Sequence, residues 1–255
     1  MSLDGIGLLL DFDSIVRVRV QNSMLVLIDL NSQSQTMTTT LKIDFVSDIA
    51  CPWCAVGLSS LEKALERLQG EVTAELHFQP FELNPQMGPG GQDLGEHLTE
   101  KYGSTLEQQA QIRQTIMARG AEVGFEFHPG GRGRVYNTFE AHRLLHWAEG
   151  QGAGLQHALK KALLRAYQGR AECIEDPEVL LAAVAEAGLN VDAAREMLAS
   201  QDNALAVRER EQFYVQAGIR SVPAVIINDR HLISGGQPAL VFEQALRQIA
   251  AGQAT

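Results

Sequence analysis

The sequence predicts an α/β fold in which a βαβ unit and a ββα unit are separated by a long helical insertion. Four segments have the apolar patterns of strands: 41–47, 72–80, 224–227 and 231–234. Between the second and the third, the chain has the texture of successive amphipathic helices. We therefore expect a four-stranded unit built from 41–83 and 218–252, with an all-α domain inserted at 84–217.

The βαβ unit is predicted within 41–80. Its first strand is almost continuously apolar, as is typical of a buried strand. The helix that follows carries one apolar stripe: Cys54, Leu58, Leu61, Leu65 and Leu68. Gly70 ends this helix, and 72–80 then alternates between apolar and polar residues. A strand, a helix and a strand in this length predict a parallel pair with a right-handed crossover.

Helix start signals recur through the insertion. Ser104 and Glu107 have the spacing of a capping box. Asn137 and Glu140 have the same spacing, and Asp176 precedes a proline at a first helical position. From these signals and from glycine stops we expect helices at 104–120, 138–149, 155–167, 176–188, 192–199 and 203–217.

The chain closes with a predicted hairpin and a helix. The strands 224–227 and 231–234 flank Asn228-Asp229-Arg230, which is a tight-turn sequence. Gly235-Gly236 then leads into an amphipathic helix that begins near Pro238. Without the insertion, these elements and the βαβ unit form a compact α/β unit.

The first 40 residues lie outside this pattern. Leu8-Leu9-Leu10 is too short for the core of a signal peptide, and aspartates stand where a basic region would be expected. We expect residues 1–40 to be an extension that is disordered or results from a misassigned start site, with Met37 as the better start. The same observation favours a cytoplasmic location.

The composition limits the classes of partner. The formal net charge is −10 and the pI is near 5.2. This balance argues against nucleic acid and against anionic membranes as partners. No apolar run is long enough to span a bilayer. The sequence does not indicate an oligomeric state.

Cys51-Pro52-Trp53-Cys54 stands at the junction of the first strand and the first helix. Residues three apart share one helix face, so the two sulfurs can form a small-loop disulfide. Pro52 fits the first helical position, which puts Cys51 at the N-cap, where the helix dipole stabilises a thiolate. We therefore predict that Cys51 is the low-pKa nucleophile and that Cys54 is the resolving thiol.

Other interpretations of these residue types are weaker. A structural zinc site needs four ligands, and Cys173 has no partner nearby in sequence. A structural disulfide is rare in a chain with three cysteines and no export signal. His142 and His146 lie one helical turn apart but lack a third ligand, so we expect no metal. His142 could instead face the redox site.

Gly130-Gly131-Arg132-Gly133-Arg134 has the glycine content of a phosphate-binding loop. It lacks the P-loop lysine and does not complete the dinucleotide fingerprint. We interpret it as a mobile loop that could contact an anionic substrate.

The CxxC after the first strand and Val222-Pro223 before the third resemble the thioredoxin fold, and the helical insertion resembles the DsbA family. Four stretches resemble its FrnE-like branch: Phe45-Val46-Ser47-Asp48, Asn137-Thr138-Phe139-Glu140-Ala141-His142-Arg143-Leu144, Gly218-Ile219-Arg220-Ser221-Val222-Pro223 and Ile233-Ser234-Gly235-Gly236-Gln237-Pro238. The resemblance implies a thioredoxin-like α/β fold with a large all-α insertion. It also implies that Cys51 attacks disulfides and that Cys54 resolves them.

The resemblance implies a cis Val222–Pro223 bond beside the cysteines, with substrate bound near Pro52, Trp53, Val222 and Pro223. The residues alone leave open an ordinary trans proline that opens an edge strand. DsbA-type centres usually have Pro-His between the cysteines, whereas this chain has Pro-Trp. An imidazolium cannot assist the thiolate here, so we do not carry over a strongly oxidising potential.

The resulting hypothesis is a cytoplasmic thiol–disulfide oxidoreductase, with disulfide isomerase activity as an extension. Its substrate is a protein or small molecule that contains a thiol or a disulfide. It needs no cofactor beyond the Cys51–Cys54 disulfide, and glutathione is compatible as a co-substrate. One alternative is a glutathione-dependent isomerase or transferase of the kappa-type or 2-hydroxychromene-2-carboxylate isomerase group, whose members typically carry serine in place of Cys51. Another is a non-catalytic redox-sensing module.

Overall fold

The computed structural model describes residues 15–18, 26–29 and 38–253. The chain divides into two units, 1–38 and 39–255. In the first unit, β1 (Ile15–Val18) pairs antiparallel with β2 (Val26–Asp29). The rest of the predicted 1–40 extension lies outside the described residues, apart from the last three positions. Its assignment as disordered, or as a start-site artefact, stays a prediction.

The second unit is built on one mixed four-stranded sheet. The strands of this unit are β3 (Thr39–Ser47), β4 (Val72–Pro80), β5 (Gln92–Asp93), β6 (Arg134–Val135), β7 (Ala224–Ile227) and β8 (His231–Ser234). The sheet has the order β4-β3-β7-β8, and the short β5 and β6 form a separate antiparallel pair. β3 runs parallel to β4 and antiparallel to β7, which pairs antiparallel with β8. The predicted βαβ and ββ arrangement is confirmed.

Helices make up most of the rest of this unit. They are α1 (Pro52–Arg67), α2 (Leu94–Tyr102), α3 (Leu106–Val123), α4 (Phe139–Glu149), α5 (Leu155–Leu164), α6 (Pro177–Glu186), α7 (Val191–Ala199), α8 (Ala204–Gln216) and α9 (Ala239–Gln253). α1 and α9 pack against each other and beside the sheet, whereas α2 to α8 form the insertion. None of the described helices is long and apolar enough to cross a membrane.

Several details of the insertion differ from the prediction. The short strand pair β5–β6 lies in a segment expected to be all-α. Asn137 accepts the Phe139 N–H, but no capping box with Glu140 forms. The capping box of α3 is formed by Thr105 and Gln108, one residue later than expected, because the Thr105 hydroxyl accepts the Gln108 N–H and the Gln108 side chain reaches back. The helix predicted at 155–167 changes to a π-helical turn at Arg165–Gly169. α2 was not predicted. Asp93 caps it, since its carboxylate accepts the Glu96 N–H.

The insertion shares one apolar core with the sheet and also forms hydrogen bonds to an edge of the sheet. β4 is an edge strand, and an unpaired edge exposes backbone groups that must find partners. Gln156 on α5 supplies them for Phe78: its side-chain oxygen accepts the Phe78 N–H at 2.9 Å and its side-chain nitrogen donates to the Phe78 carbonyl at 3.2 Å. The same nitrogen donates to the carbonyl of Leu145 on α4. The insertion therefore closes the sheet edge with side-chain hydrogen bonds.

Arg143 ties α4 to the end of α7. Its side chain is 2% exposed, and its guanidinium donates to the carbonyls of Met197, Ser200 and Asp202. It also pairs with Glu140 at 2.6 Å. These carbonyls follow or end a helix, where intrahelical donors are missing. Arg143 therefore adds donors at the end of α7 and in the loop after it, where the Met197 carbonyl also accepts the Ser200 N–H.

We predict that Arg143→Met lowers the free energy of unfolding by about 3 kcal/mol, because it removes a buried guanidinium that donates to three carbonyls and pairs with Glu140. Urea denaturation followed by far-UV circular dichroism measures this change. Arg195→Met is the matched control, since Arg195 pairs with Glu178 on the exposed surface. Equal stability of the two variants would contradict the account.

Candidate active site

The two cysteines of the motif lie where β3 ends and α1 begins. Cys51 is the N-cap residue of α1, with φ −92° and ψ 114°, and Pro52 occupies the first turn. The Cys51 N–H donates to the Asp48 carbonyl at 3.2 Å, and the Cys54 N–H donates to the Cys51 carbonyl at 3.1 Å. Both cysteines are free thiols in this structure. The strand-to-helix turn thus holds Cys51 at the positive end of α1, as the sequence predicted.

The thiols differ in burial and in contacts. Cys51 is 5% exposed, whereas Cys54 is fully buried. Cys51 Sγ lies 3.5 Å from the carbonyl oxygen of Val222, to which it donates. The Val222–Pro223 peptide bond is cis, as the family resemblance implied. The structure therefore brings Cys51 and Val222 together across a long separation in sequence.

The environment shifts the two thiol pKa values in opposite directions. A hydrogen bond with the Cys54 side chain lowers the pKa of Cys51 below its ordinary value and outweighs the effect of burial. Arg132 acts in the same direction and Asp48 opposes it. Burial raises the pKa of Cys54 well above its ordinary value, and the hydrogen bond with Cys51 adds to the increase. Cys51 is therefore the thiol that ionises first.

Asp48 is a buried carboxylate directly before the motif. One of its oxygens accepts the Ala50 N–H at 3.0 Å and the other accepts the Leu83 N–H at 2.7 Å. Burial alone would raise the pKa of Asp48, but attraction to His142 and these two hydrogen bonds outweigh it and lower the pKa. Asp48 is therefore ionised at neutral pH.

His142 of α4 faces the redox motif, which is the alternative that the sequence left open. Its Nε2 lies 3.5 Å from an Asp48 oxygen and has no hydrogen-bond partner among the described residues. His146, one turn later, is only partly buried. The described residues contain no group of three or more histidines, cysteines or carboxylates placed to hold a metal ion.

Lys160 of α5 is a buried cation near the dithiol. Its side chain is fully buried, and Nζ has no hydrogen-bond partner among the described residues. Burial lowers the pKa of Lys160 to about 8, against the attraction of negative charge at Cys54, Asp48 and Cys51. Conversely, the charge of Lys160 favours ionisation of Cys54. A protonated Lys160 therefore compensates for negative charge in the buried centre.

Side chains of the insertion also donate hydrogen bonds to the backbone carbonyls of the loop before Cys51. The Gln168 side chain donates to the Ile49 carbonyl at 2.8 Å, and Arg132 donates to the Ala50 carbonyl. Arg132 lies over the Tyr167 ring, 5.0 Å from its centroid. The loop predicted from the glycine-rich run therefore positions an arginine at the redox motif.

A cleft of about 900 Å³ opens beside Cys51. Pro52, Trp53 and Val222 line it, as the sequence-based site predicted, and so does Arg132. Pro223 is buried and is not among the lining residues. A substrate role for these residues stays a prediction.

Sequence reasoning missed Asp48, Lys160 and Gln168 as parts of the site. A usable signal exists for Lys160, because it lies four residues after Gln156 and one after Leu159, both on the buried face of α5. A lysine at a core position of a helical pattern indicates a buried charge. The contacts of Asp48 and Gln168 depend on tertiary folding and leave no such pattern.

The family model of the DSBA-like thioredoxin domain matches residues 42–247. A crystal structure of a probable DsbA oxidoreductase from Streptomyces coelicolor is 35% identical, with a TM-score of 0.75 over 84% of this chain and 92% of that one. The uncharacterised protein YwbO from Bacillus subtilis is 26% identical over 81% of this chain and 96% of its own length.

The structure of the cytosolic disulfide reductase DsbM from Pseudomonas aeruginosa with GSH is similar at lower identity. It is 18% identical, with a TM-score of 0.55 over 84% of this chain and 98% of that chain. At this identity the likeness concerns the fold.

We predict that the thiol of Cys51 alkylates with an apparent pKa below the ordinary value of about 8.5. In a Cys173→Ser background, Cys54→Ser retains a hydroxyl that can donate to Cys51, whereas Cys54→Ala does not. The apparent pKa should therefore be higher in Cys54→Ala than in Cys54→Ser. Iodoacetamide rates between pH 5 and pH 10 provide the measurement, and equal values near 8.5 in both variants would refute the prediction.

We predict that Lys160→Met stabilises the protein at neutral pH. The folded-state pKa of about 8 is below the ordinary value of 10.5. Below pH 8 both states are protonated, so the folded state carries the full cost of the buried charge, about 3 kcal/mol. Between pH 8 and 10.5 only the unfolded chain keeps the proton, so wild-type stability rises with pH and the advantage of methionine shrinks.

Urea unfolding at pH 6.5 and pH 9.5 measures this difference, in a Cys51→Ser, Cys54→Ser background where no thiol of the motif titrates. Lys161→Met is the control, because Lys161 is partly exposed and pairs with Glu62. An advantage of Lys160→Met that does not change with pH would show that its charge is not the cause.

Proposed function

The chain belongs to the DSBA-like thioredoxin domain family, and we propose that it is a thiol–disulfide oxidoreductase that acts through Cys51 and Cys54. The observation that carries the proposal is the placement of the two thiols: Cys51 caps α1 beside the Val222 carbonyl at the cleft, whereas Cys54 is fully buried one turn later. A thiolate at the cleft attacks disulfides, and a buried thiol keeps its proton until the second step. Within the family we propose the FrnE-like branch, supported by the stretches that resemble it.

In the proposed reaction, the Cys51 thiolate attacks one sulfur of a substrate disulfide. A bond forms between Cys51 and the substrate, the substrate S–S bond breaks, and the first thiolate leaves. Cys54 then loses its proton and attacks Cys51 Sγ, which releases the second thiolate. The protein ends with a Cys51–Cys54 disulfide, and two electrons have passed to the substrate. The reverse sequence oxidises a substrate dithiol.

We propose that substrate binds along Pro52, Trp53 and Val222. These residues line the cleft beside Cys51, and the Val222 carbonyl already faces its sulfur. An extended peptide could pair with the backbone at Val222 as a short strand, with each hydrogen bond contributing about 1 kcal/mol. Pro223 is buried and does not line the cleft, so its role would be to fix the position of Val222.

Further parts of the proposal have narrower support. Disulfide isomerisation would use the same first attack, followed by return of the substrate thiol before Cys54 resolves. Glutathione as a co-substrate and a cytoplasmic location are supported by likeness in fold to a cytosolic disulfide reductase crystallised with GSH. The presence of both Cys51 and Cys54 favours redox exchange over the chemistry of a glutathione-dependent isomerase. Catalytic turnover with a dithiol or with glutathione would distinguish an enzyme from a non-catalytic redox sensor.

We predict that Cys54→Ser accumulates a mixed disulfide on Cys51, because no thiol remains to displace the bound half. Reduced protein is mixed with oxidised glutathione and analysed by mass spectrometry after acid quenching. Wild type should instead form the Cys51–Cys54 disulfide without an adduct. Cys173→Ser serves as the control and should behave like wild type.

An adduct on Cys54 in the Cys51→Ser variant, at the rate seen for Cys51, would reverse the assignment of the two thiols. No exchange by wild type with oxidised glutathione or with a peptide disulfide would argue for the redox-sensing alternative.

A further inference from the structure

The cleft beside Cys51 has the dimensions of a small-molecule site. Its volume of about 900 Å³ falls within the range of pockets that enclose small organic ligands. α2, α3 and the loop before β6 form the side that belongs to the insertion. Ser221 and Val222 form part of the side that belongs to the sheet unit. A ligand in this space would lie next to the sulfur of Cys51.

One wall of the cleft is apolar. α2 contributes Leu98 and Tyr102, and α3 contributes Leu106, Ile112, Ile116 and Met117. Tyr102, Leu106 and Ile112 are exposed, although side chains of this size are usually buried. A contiguous set of exposed apolar side chains in a cleft indicates a surface that is covered by a ligand.

The rim of the cleft is positively charged. Arg113 on α3, Arg132 in the glycine-rich loop and Arg220 before Val222 all line it. Arg132 and Arg220 donate to backbone carbonyls, and none of the three has a carboxylate within ion-pair distance among the described residues. Asp93 is the one carboxylate among the described lining residues, and its side chain is occupied in capping α2.

The lack of counter-charge in this cleft contrasts with the charge of the whole chain. The chain carries a net charge of −10, so carboxylates are in excess. Outside the cleft, eight arginines of the described second unit pair with carboxylates and three do not; the paired ones are Arg67, Arg119, Arg143, Arg165, Arg170, Arg195, Arg208 and Arg247, and the others are Arg134, Arg210 and Arg230. Three guanidinium groups that line one cleft beside an apolar wall, with no free carboxylate among its described lining residues, therefore favour an anionic ligand with an apolar body.

We infer that the cleft binds a low-molecular-weight disulfide that combines an apolar body with a carboxylate, and that it presents the sulfur of this compound to Cys51. The inference rests on the proposed function and names its substrate class. The apolar body lies on the α2–α3 wall, and the carboxylate is held by the arginines of the rim. Exchange consumes one disulfide and the two protein thiols, and it yields two organic thiols and the Cys51–Cys54 disulfide.

Two aromatic disulfides test the role of charge. The first, 5,5′-dithiobis(2-nitrobenzoate), carries a carboxylate on each half, whereas 4,4′-dithiodipyridine is neutral at pH 7.5. Reduced protein with Cys173→Ser is mixed with each probe, and release of the coloured product gives a second-order rate constant. The ratio of the anionic to the neutral rate constant cancels changes in the intrinsic reactivity of Cys51.

We expect the ratio to fall severalfold in Arg113→Gln and in Arg220→Gln, and roughly tenfold or more in the double variant. Arg230→Gln is the matched control, because it removes one positive charge at the exposed β7–β8 turn, at the opposite end of the sheet from Cys51. It should leave the ratio unchanged. The Arg113→Lys, Arg220→Lys variant keeps both charges and should retain most of the ratio.

An unchanged ratio in the double glutamine variant overturns the inference, and so does an equal loss in the double lysine variant. An equal fall in Arg230→Gln would show that net charge alone is responsible, which also overturns it. If the unsubstituted protein is oxidised by neither probe, the proposed function itself fails. These outcomes separate the two proposals.

Discussion

The geometry of the dithiol depends on the way in which the loop from Asp48 to Cys51 is held against the insertion. This loop leaves the sheet and enters the core, so each of its backbone polar groups must find a partner. The Ile49 carbonyl takes a donor from Gln168 and the Ala50 carbonyl takes one from Arg132. The Asp48 carboxylate accepts two backbone N–H groups and lies close to His142. A four-stranded unit alone would not supply the side chains from 132, 142 and 168.

The charged side chains that are buried around the dithiol compensate for one another. A lone buried carboxylate or ammonium group is costly, and burial normally neutralises it. Here Asp48 and Lys160 lie in the same buried centre with the two thiols, where His142 favours the charged form of Asp48 and Asp48 favours the charged form of Lys160. When Cys51 ionises, the centre gains a second negative charge, which Asp48 opposes and Arg132 favours. The reactivity of Cys51 is therefore set by a small difference between several opposing interactions.

The sequence alone predicts those strands and helices whose signals lie within the element itself. The strands 72–80, 224–227 and 231–234 were predicted with their observed bounds, because alternation and turn residues define them directly. The start of α1 at Pro52 follows from a proline at the first helical position. α2 was missed because its nine residues include a glycine and form no buried stripe. The π-helical turn after α5 was missed because its hydrogen bonds differ from those of an α-helix while the side-chain pattern continues.

The site was predictable only where its residues are adjacent in the chain. The spacing of Cys51 and Cys54 identifies them as a redox pair, whereas Val222 is placed at the site only by the resemblance to a family. The residues that tune the thiols are distant in sequence and come from different elements, so no spacing relates them. The sequence offers two roles for His142, a metal ligand with His146 or a side chain that faces the redox site, but it does not indicate the contact with Asp48.

The replacement of histidine by Trp53 within the motif changes which groups stabilise the thiolate. An indole carries no positive charge, so the cation near Cys51 must come from elsewhere. The structure supplies Arg132 beside Cys51 and Lys160 near Cys54, both from the insertion. A guanidinium stays charged at every physiological pH, whereas an imidazolium loses its proton near neutrality. Ionisation of Cys51 in this protein is therefore favoured first by the hydrogen bond with Cys54 and then by the charge of Arg132, which stays constant across the physiological range. The same insertion that completes the core supplies that charge.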